Sequence, residues 1–183
     1  MKSGTQRRDE VVAVVGGGSW GTALANAAAA AGRPVTLWMR DPEAAARMEQ
    51  ARTNERYLPG VALHPGVRAT AEAAALASAG TVLLVVPAQT LRSVLAALAP
   101  SLAPGAAVVL CAKGIERGSD AFMSAVAAEV LPAGSPVAVL SGPSFASDVA
   151  RGLPTAVTLA SGRGAGGAAR RAALGTGLPA LPH

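Results

Sequence analysis

The sequence has little cysteine and few aromatic residues, and each shortage excludes a class of protein. A single cysteine, Cys111, cannot form an internal disulfide, so a disulfide-stapled secreted domain is excluded and a reducing compartment is predicted. Cys111 lies within an apolar run, which favours a small buried side chain over a reactive thiol. Because only 3% of the residues are aromatic, the core must be built from valine, leucine and alanine.

Charged residues are scarce as well, at 15% of the chain, while 51% of the residues are hydrophobic. This balance excludes a disordered protein. The formal net charge is +5, but no aromatic residues are interleaved with the basic ones. We therefore expect no nucleic-acid partner and instead an attraction for small anionic ligands. Much of the positive charge lies near the ends of the chain, in Lys2, Arg7, Arg8, Arg163, Arg170 and Arg171.

Long hydrophobic runs are absent too. No stretch reaches the roughly 20 apolar residues of a membrane span. Two acidic residues separate Arg7 and Arg8 from the apolar run Val11–Val15, which does not fit a secretion signal, and we predict a cytoplasmic protein.

The two histidines, His64 and His183, belong to no cluster of metal-ligating residues, so no metal site is predicted.

Valine-rich runs alternate along the chain with segments of helical character. The runs lack a period of two, which is typical of strands buried on both faces of a parallel sheet. The alternation predicts right-handed crossovers and a doubly wound α/β sheet. The predicted strands are Val11–Gly16, Pro34–Arg40, Thr81–Pro87, Ala107–Lys113, Val137–Ser141 and Thr155–Ser161. The predicted helices are Trp20–Ala31, Pro42–Ala51, Thr70–Ser78, Thr90–Leu98, Asp120–Val130 and Phe145–Ala150.

A glycine-rich turn follows the first predicted strand and opens the first predicted helix. Residues 16–21, Gly-Gly-Gly-Ser-Trp-Gly, form a G-x-G-x-x-G sequence in the context that dinucleotide binding requires. Gly16 permits the tight turn, Gly18 lets the backbone approach a pyrophosphate, and Gly21 lets the helix pack closely on the strand. Free N–H groups around Ser19 and Trp20 then face the anion. A purely structural turn is the alternative, and the position after the first strand favours a cofactor site.

The end of the second predicted strand bears on which dinucleotide is bound. NAD-specific folds place an acidic residue on the ribose hydroxyls, about 20 positions past the glycines. Arg40 occupies that neighbourhood here, where it can pair with a 2′-phosphate or stack on adenine. Asp41 follows it immediately. NADPH is favoured, and NADH is left open.

Two further turns follow predicted strands, at the edge of the sheet where ligands bind in such folds. Lys113, one of only two lysines, can hydrogen-bond a substrate oxygen there, and a solvated strand-end lysine is an equal alternative. The next strand ends in the Ser-Gly-Pro turn of residues 141–143. Ser144 is predicted to cap the following helix, and Phe145 and Val149 are predicted to face the core. A simple strand–helix turn is the alternative for this segment.

These features divide the chain into three segments. Residues 11–161 are predicted to form a dinucleotide-binding domain, within which residues 52–69 form a long loop. Residues 1–10 are predicted to be a flexible amino-terminal tail. Residues 162–183 consist largely of glycine, alanine, arginine and proline, which predicts a disordered low-complexity tail.

Taken together, the motifs resemble those of the bacterial NAD(P)-dependent glycerol-3-phosphate dehydrogenases. The resemblance implies hydride transfer that interconverts sn-glycerol 3-phosphate and dihydroxyacetone phosphate, supplying glycerol 3-phosphate for phospholipid synthesis. It covers roughly residues 11–161. The matching stretches follow the family's order: Gly16–Ala25 (GGGSWGTALA), Trp38–Pro42 (WMRDP), Asn54–Gly60 (NERYLPG), Val85–Gln89 (VVPAQ), Lys113–Glu116 (KGIE) and Leu140–Val157 (LSGPSFASDVARGLPTAV).

The resemblance also implies roles for residues at matching positions. It places several residues at the NADPH or NADH cofactor, in addition to the glycines Gly16, Gly18 and Gly21 of the fingerprint. It also places two residues at the substrate and one lysine at both ligands. The cofactor residues are Ser19, Trp20, Arg40, Tyr57 and Ala146, the substrate residues are Gly142 and Ser144, and the shared residue is Lys113.

The sequence departs from the family near its end. Family members continue into a helical second domain with a second lysine, the proton acceptor, whereas no lysine follows Lys113 here. We therefore expect a truncated chain that holds no catalytic residue and is inactive when isolated. Two alternatives stay open. A dehydrogenase of another hydroxy acid is disfavoured by the Leu140–Val157 stretch, and a non-catalytic dinucleotide-sensing module is favoured by the missing domain. The oligomeric state is not fixed, and a homodimer is left open.

Overall fold

Nine strands and five α-helices make up residues 11–161, the part of the chain that the computed structural model describes. The predictions for residues 1–10 and 162–183 lie outside the described residues. The strands are β1 (Val12–Val15), β2 (Val35–Trp38), β3 (Thr53–Asn54), β4 (Leu58–Ala62), β5 (Val67–Thr70), β6 (Thr81–Leu84), β7 (Ala107–Leu110), β8 (Val137–Ser141) and β9 (Thr158–Ser161). The helices are α1 (Ser19–Ala30), α2 (Pro42–Ala51), α3 (Leu91–Leu98), α4 (Met123–Val130) and α5 (Ala146–Ala150). Short 3-10 helices lie at Ala73–Ser78, Ala88–Thr90 and Ala99–Ser101.

Seven of the strands form one twisted sheet in the order β5-β2-β1-β6-β7-β8-β9. β1 lies between β2 and β6 and is parallel to both, so the chain winds outward from it in two directions. The predicted doubly wound α/β fold is confirmed. β9 is the exception to the parallel arrangement, because it runs antiparallel to β8 at the edge of the sheet and is largely exposed. A strand of this kind needs no crossover helix, and the prediction that it is buried on both faces is wrong.

Aliphatic side chains fill the space on both faces of this sheet. In β1, Val12 and Val14 point to one face and pack against α1, whereas Ala13 and Val15 point to the other face, which α3 and α4 cover. Cys111 is 8% exposed. Burial raises the pKa of its thiol to about 12, so the thiol is neutral at physiological pH and the predicted small buried side chain is confirmed.

The segment predicted to be a loop, residues 52–69, contains three strands instead. β3 and β4 pair with each other as an antiparallel hairpin, and β5 joins the main sheet beside β2. The predicted helix Thr70–Ser78 is also wrong, because Thr70 ends β5 and the residues after it form only a short 3-10 helix. The Thr70 hydroxyl accepts a hydrogen bond of 3.0 Å from the backbone N–H of Glu72, which turns the chain out of the strand.

The other predicted helices are present, and all except α2 have shifted ends. α1 begins at Ser19, where the glycine turn closes, and α2 spans Pro42–Ala51 as predicted. α4 begins at Met123, three residues later than predicted, because Asp120 adopts a left-handed conformation with φ of 54°. None of the helices among the described residues is both long and apolar enough to cross a bilayer.

Candidate functional site

The carboxyl ends of the parallel strands form one edge of the sheet, and a cleft of about 660 Å³ opens there. The cleft lies beside the turn after β1, at the point where the strand order reverses. In doubly wound sheets this crevice is where ligands bind. Its walls are the glycine turn, the end of β2, one face of α2, the β3–β4 hairpin and the segment after β6.

The three glycines of the fingerprint occupy different environments in this turn. Gly16 has φ of +123°, and a Cβ there would overlap the carbonyl oxygen of Val85. A Cβ at Gly21 would overlap the carbonyl oxygen of Gly16. Gly18 differs, because a Cβ built on it meets no heavy atom of the described chain within 4 Å. Gly16 and Gly21 are therefore required by the close approach of backbone segments, whereas Gly18 borders open space.

The first turn of α1 presents backbone N–H groups beside the cleft. The first hydrogen bond of the helix joins the N–H of Thr22 to the carbonyl oxygen of Gly18 at 3.0 Å. The N–H groups of Ser19, Trp20 and Gly21 consequently have no acceptor within the helix. No side chain caps this helix, and its first turn holds no acidic residue. The helix start is therefore suited to an anion.

Arg40 and Asp41 are adjacent in sequence but engage different parts of the structure. Asp41 is the N-cap of α2, and its Oδ1 accepts hydrogen bonds from the N–H groups of Glu43 at 3.0 Å and Ala44 at 3.2 Å. Arg40 lines the cleft and is exposed. Asp41 also lines the cleft, but Oδ1 of its carboxylate is engaged in capping α2, whereas Arg40 lies at the cleft as an exposed cation.

The hairpin of β3 and β4 adds residues that the sequence reasoning assigned only in part. Tyr57 lies in its turn, 50% exposed, and the Arg56 guanidinium lies 5.1 Å from the centroid of the Tyr57 ring. Arg56 and Arg47 line the cleft with Arg40, and neither was singled out from the sequence. Arg56 sits next to Tyr57 in the NERYLPG stretch, which is the signal that could have identified it.

Lys113 and the Ser-Gly-Pro turn, 29 positions apart, are in direct contact. The Lys113 ammonium donates a hydrogen bond of 3.1 Å to the carbonyl oxygen of Gly142. A Cβ at Gly142 would lie 2.7 Å from the carbonyl oxygen of Ala156, so the turn is too tight for a side chain at this position. The structure thus joins the ends of β7 and β8 through Lys113 and Gly142, two of the three residues that the resemblance places at the substrate.

Two predictions about the helix after this turn are corrected. Ser144 does not cap it, because α5 begins at Ala146 and its N-cap is Phe145, with extended backbone and no capping side chain. Val149 is buried as predicted, but Phe145 is 71% exposed. The later start of the helix rotates Phe145 away from the core, since it no longer shares a helical face with Val149.

The predicted site residues along this edge divide into those that line the cleft and those that lie outside its lining. Trp20 and Ala146 are half-buried against one core cluster, where α1 contacts α5. Four predicted site residues line the cleft itself: Gly16, Gly18, Arg40 and Tyr57. Seven lie outside its lining, on α1 and after β7 and β8: Ser19, Trp20, Gly21, Lys113, Gly142, Ser144 and Ala146.

Gln89, in the 3-10 helix before α3, and Arg92, in the first turn of α3, hold the segment that follows Lys113. Gln89 donates through Nε2 to the carbonyl oxygen of Ile115 at 2.9 Å and accepts through Oε1 from the N–H of Arg117 at 3.0 Å. Arg92 binds both carboxylate oxygens of Glu116. These bonds, with one from Ser119, lower the pKa of Glu116 to about 2. The sequence reasoning missed this network, although its residues fall in or beside the VVPAQ and KGIE stretches.

Comparisons with known proteins identify the family of this chain. The family model described as "NAD-dependent glycerol-3-phosphate dehydrogenase N-terminus" matches residues 11–165. The chain is 69% identical over 164 residues to glycerol-3-phosphate dehydrogenase [NAD(P)+] from Methylobacterium radiotolerans, covering 90% of this chain and 49% of that protein. It is 57% identical over 172 residues to the enzyme of that name from Azorhizobium caulinodans, covering 94% of this chain and 52% of that protein. This match continues past Ser161, where the recognisable motifs end.

A solved structure shows the same likeness in three dimensions. The crystal structure of glycerol-3-phosphate dehydrogenase from Coxiella burnetii superposes with a TM-score of 0.79 at 35% identity, over 85% of this chain and 48% of that one. The chain spans about half the length of the curated relatives that it matches. It belongs to the NAD-dependent glycerol-3-phosphate dehydrogenase family and matches the amino-terminal, dinucleotide-binding part of its members.

Proposed function

We propose that residues 11–161 form a domain that binds NADPH or NADH for the interconversion of sn-glycerol 3-phosphate and dihydroxyacetone phosphate. The observation that carries this proposal is the sheet edge itself. It combines a glycine turn with an open position at Gly18, a cleft lined by arginines, and Lys113 in contact with the Ser-Gly-Pro turn. Each of these features suits a ligand that bears phosphate groups.

The proposal places the pyrophosphate of the dinucleotide at the start of α1. The N–H groups of Ser19, Trp20 and Gly21 lack acceptors within the helix, and the positive end of the helix dipole favours an anion there. The adenosine half then occupies the cleft between Arg40 and Tyr57, both of which line it. Capping of α2 by Asp41 supports a preference for NADPH, because Oδ1 of this cleft-lining carboxylate is engaged by backbone N–H groups while Arg40 is available to a 2′-phosphate.

The substrate is proposed to bind at the end of β7 and β8. The bound cofactor supplies the hydride. The Lys113 ammonium is held at the edge by the carbonyl oxygen of Gly142, where it can donate to a substrate oxygen and stabilise the negative charge that develops on it. Gly142 and Ser144 help to hold the substrate, and Ala146 contributes to the cofactor side of the same turn.

The proposed partners are small anions. We propose that the net charge of +5 serves these ligands and not nucleic acid, and that the protein works in the cytoplasm, where it supplies glycerol 3-phosphate for phospholipid synthesis. A homodimer is the proposed assembly, which sedimentation of the purified chain would test.

Ligand titration of the purified 183-residue chain tests the proposed function. We expect saturable binding of NADPH and NADH, followed by binding of dihydroxyacetone phosphate to the cofactor-loaded chain. Lys113→Met should abolish the second event and leave the first largely intact. Arg117→Met, a change at an exposed cation in the same segment, is the matched control. Binding of the dinucleotide without any binding of the phosphate ester would favour a sensing module, and no binding of either would overturn the proposal.

A further inference from the structure

Asn54 is a buried polar side chain to which neither the sequence motifs nor the proposed chemistry gives a role. It lies in β3 and is 6% exposed. Its Nδ2 donates to the carbonyl oxygen of Gly17 at 3.0 Å and to Oγ1 of Thr22 at 2.7 Å. Both acceptors belong to the glycine turn and the first turn of α1. The β3–β4 hairpin is thereby tied to the part of the chain proposed to hold the pyrophosphate.

We propose that Asn54 is a positioning residue that fixes the orientation of the peptide between Gly17 and Gly18. The described chain contains no cis peptide bonds, and the C=O and N–H of a trans peptide point in opposite directions. Because the carbonyl of Gly17 points to Asn54, the N–H of Gly18 points away from Asn54. The inference rests on the proposed function, because it assigns this N–H to the anionic part of the dinucleotide.

The peptide needs a fixing contact because glycine flanks it on both sides. Glycine adopts most backbone conformations with little steric penalty, so few side-chain clashes oppose rotation of a Gly-Gly peptide. If the peptide rotated by half a turn, the carbonyl oxygen of Gly17 would face the anion in place of the Gly18 N–H. The hydrogen bond from Asn54 opposes this rotation, since a buried amide without its acceptor is unfavourable.

Thr22 completes the network and supports the same orientation. Its hydroxyl accepts from Asn54 and donates to the carbonyl oxygen of Gly18 at 2.9 Å. The side chains of Asn54 and Thr22 therefore hold the carbonyls of Gly17 and Gly18. Both are buried, so water competes little for these hydrogen bonds.

Asn26, which lies in α1 with Thr22, provides a matched control for Asn54. Its Nδ2 donates to the carbonyl oxygen of Ala62 at 2.8 Å, and its Oδ1 accepts from the N–H of His64 at 2.9 Å. Like Asn54, it makes two hydrogen bonds between the region of α1 and the chain around β3 and β4, but neither of them is to the glycine turn. If Asn54 acted only by holding the hairpin, loss of Asn26 would have the same consequence for ligand binding.

The test compares Asn54→Leu and Asn26→Leu in the 183-residue chain. Isothermal titration measures the Kd of NADPH, NADH and adenosine, and thermal unfolding measures the Tm. We expect Asn54→Leu to raise the Kd of both dinucleotides about tenfold, the effect of one lost hydrogen bond to a charged ligand. The Kd of adenosine should change less, because Asn54 lines the cleft but adenosine has no pyrophosphate. Asn26→Leu should lower the Tm without changing any Kd. Unchanged dinucleotide affinity in Asn54→Leu, or an equal loss in Asn26→Leu, would overturn the inference.

Substitutions of Thr22 keep the inference testable if Asn54→Leu does not fold. Thr22→Val removes the hydroxyl and should weaken dinucleotide binding severalfold, whereas Thr22→Ser keeps the hydroxyl and should bind as the unchanged chain does. Equal affinities of the two variants would contradict the network. If the unchanged chain bound neither dinucleotide, the proposed function would fail together with this inference. If it bound them and the variants did too, only the inference about Asn54 would fail.

Discussion

At the scale of single residues, Arg40 is the side chain whose substitution should separate the two cofactors. A charge-assisted hydrogen bond to a 2′-phosphate contributes about 1.5–3 kcal/mol, and NADH lacks that group. Arg40→Ala should therefore weaken NADPH binding by tenfold or more and NADH binding much less. Titration of the variant with each cofactor measures the difference.

Arg68→Ala is the control for this substitution. Arg68 is an exposed arginine of β5 and does not line the cleft, so its removal should leave both affinities unchanged. Equal losses of NADPH and NADH affinity in Arg40→Ala would show that Arg40 stacks on the adenine and does not recognise the phosphate.

Gly18 should be required for binding but not for folding. Its backbone has φ of −76° and ψ of −177°, an extended conformation that a β-branched residue adopts readily, and a Cβ there meets no described heavy atom within 4 Å. Gly18→Val should keep a Tm close to that of the unchanged chain and abolish dinucleotide binding, because the side chain fills the space that the pyrophosphate needs. A folded variant with normal affinity would exclude this turn as the phosphate site.

At the scale of elements, the packing of α1 on the glycine turn sets a different requirement for Gly21. A Cβ there would overlap the carbonyl oxygen of Gly16, so Gly21→Ala must push the helix away from the turn. Overpacking of this kind costs about 1–3 kcal/mol, which urea unfolding would detect. Gly18→Ala is the control and should unfold at the same urea concentration as the unchanged chain. Equal stability of the two variants would contradict the contact.

The connection between α3 and the segment after β7 should make stability depend on pH. Hydrogen bonds from Arg92 and then Ser119 lower the pKa of Glu116 from 4.5 to about 2. Since folding favours the ionised form of Glu116, its contribution to the free energy of unfolding is complete above pH 4.5 and is lost as the pH falls towards 2. Glu116→Gln should lower the Tm most at neutral pH, and the difference should shrink between these two values. A difference that does not change with pH would mean that the ion pair contributes nothing.

Element prediction failed where local sequence carried the weakest signal. β5 has only four residues, and one of them, Arg68, is exposed, so the apolar pattern is too short to distinguish a strand from a loop. Its existence depends on β2, whose backbone supplies the hydrogen bonds that β5 completes. The β4 strand contains Pro59 and Gly60, which normally indicate a turn, and it is tolerated because it pairs only with the two residues of β3.

At the scale of the whole molecule, the cofactor contacts should be separable from turnover. The candidate contacts lie between Gly16 and Ala146 along one sheet edge, so the 183-residue chain should bind NADPH. Turnover also requires a proton donor within reach of the reacting oxygen and walls that exclude water. Lys113, the lysine at this edge, is exposed and donates to Gly142. We expect NADPH oxidation with dihydroxyacetone phosphate to be slower by at least about 10²–10⁴-fold than in complete family members.

If the 183-residue chain turned over at the rate of its longer relatives, the role assigned to Lys113 would have to change. Lys113 would then be the acid–base group, and the assignment of the lysine to substrate binding alone would be wrong. Measuring the rate for Lys113→Met beside the unchanged chain separates these outcomes, since loss of an acid–base group lowers kcat whereas loss of a binding contact raises KM.

The layered α/β fold could be predicted from the sequence alone, because buried parallel strands and helices leave distinct apolar patterns. The glycine turn could be predicted as well, because its backbone conformation restricts the residue type. The sequence also determined the family, through motifs that follow one order along the chain. The contacts made by side chains at the site depend instead on tertiary packing. Arg40 and Asp41 both line the cleft, but Asp41 also caps α2, and Asn54 reaches the carbonyl of Gly17 from 37 positions away. Such contacts depend on how distant segments pack, and no local pattern records them.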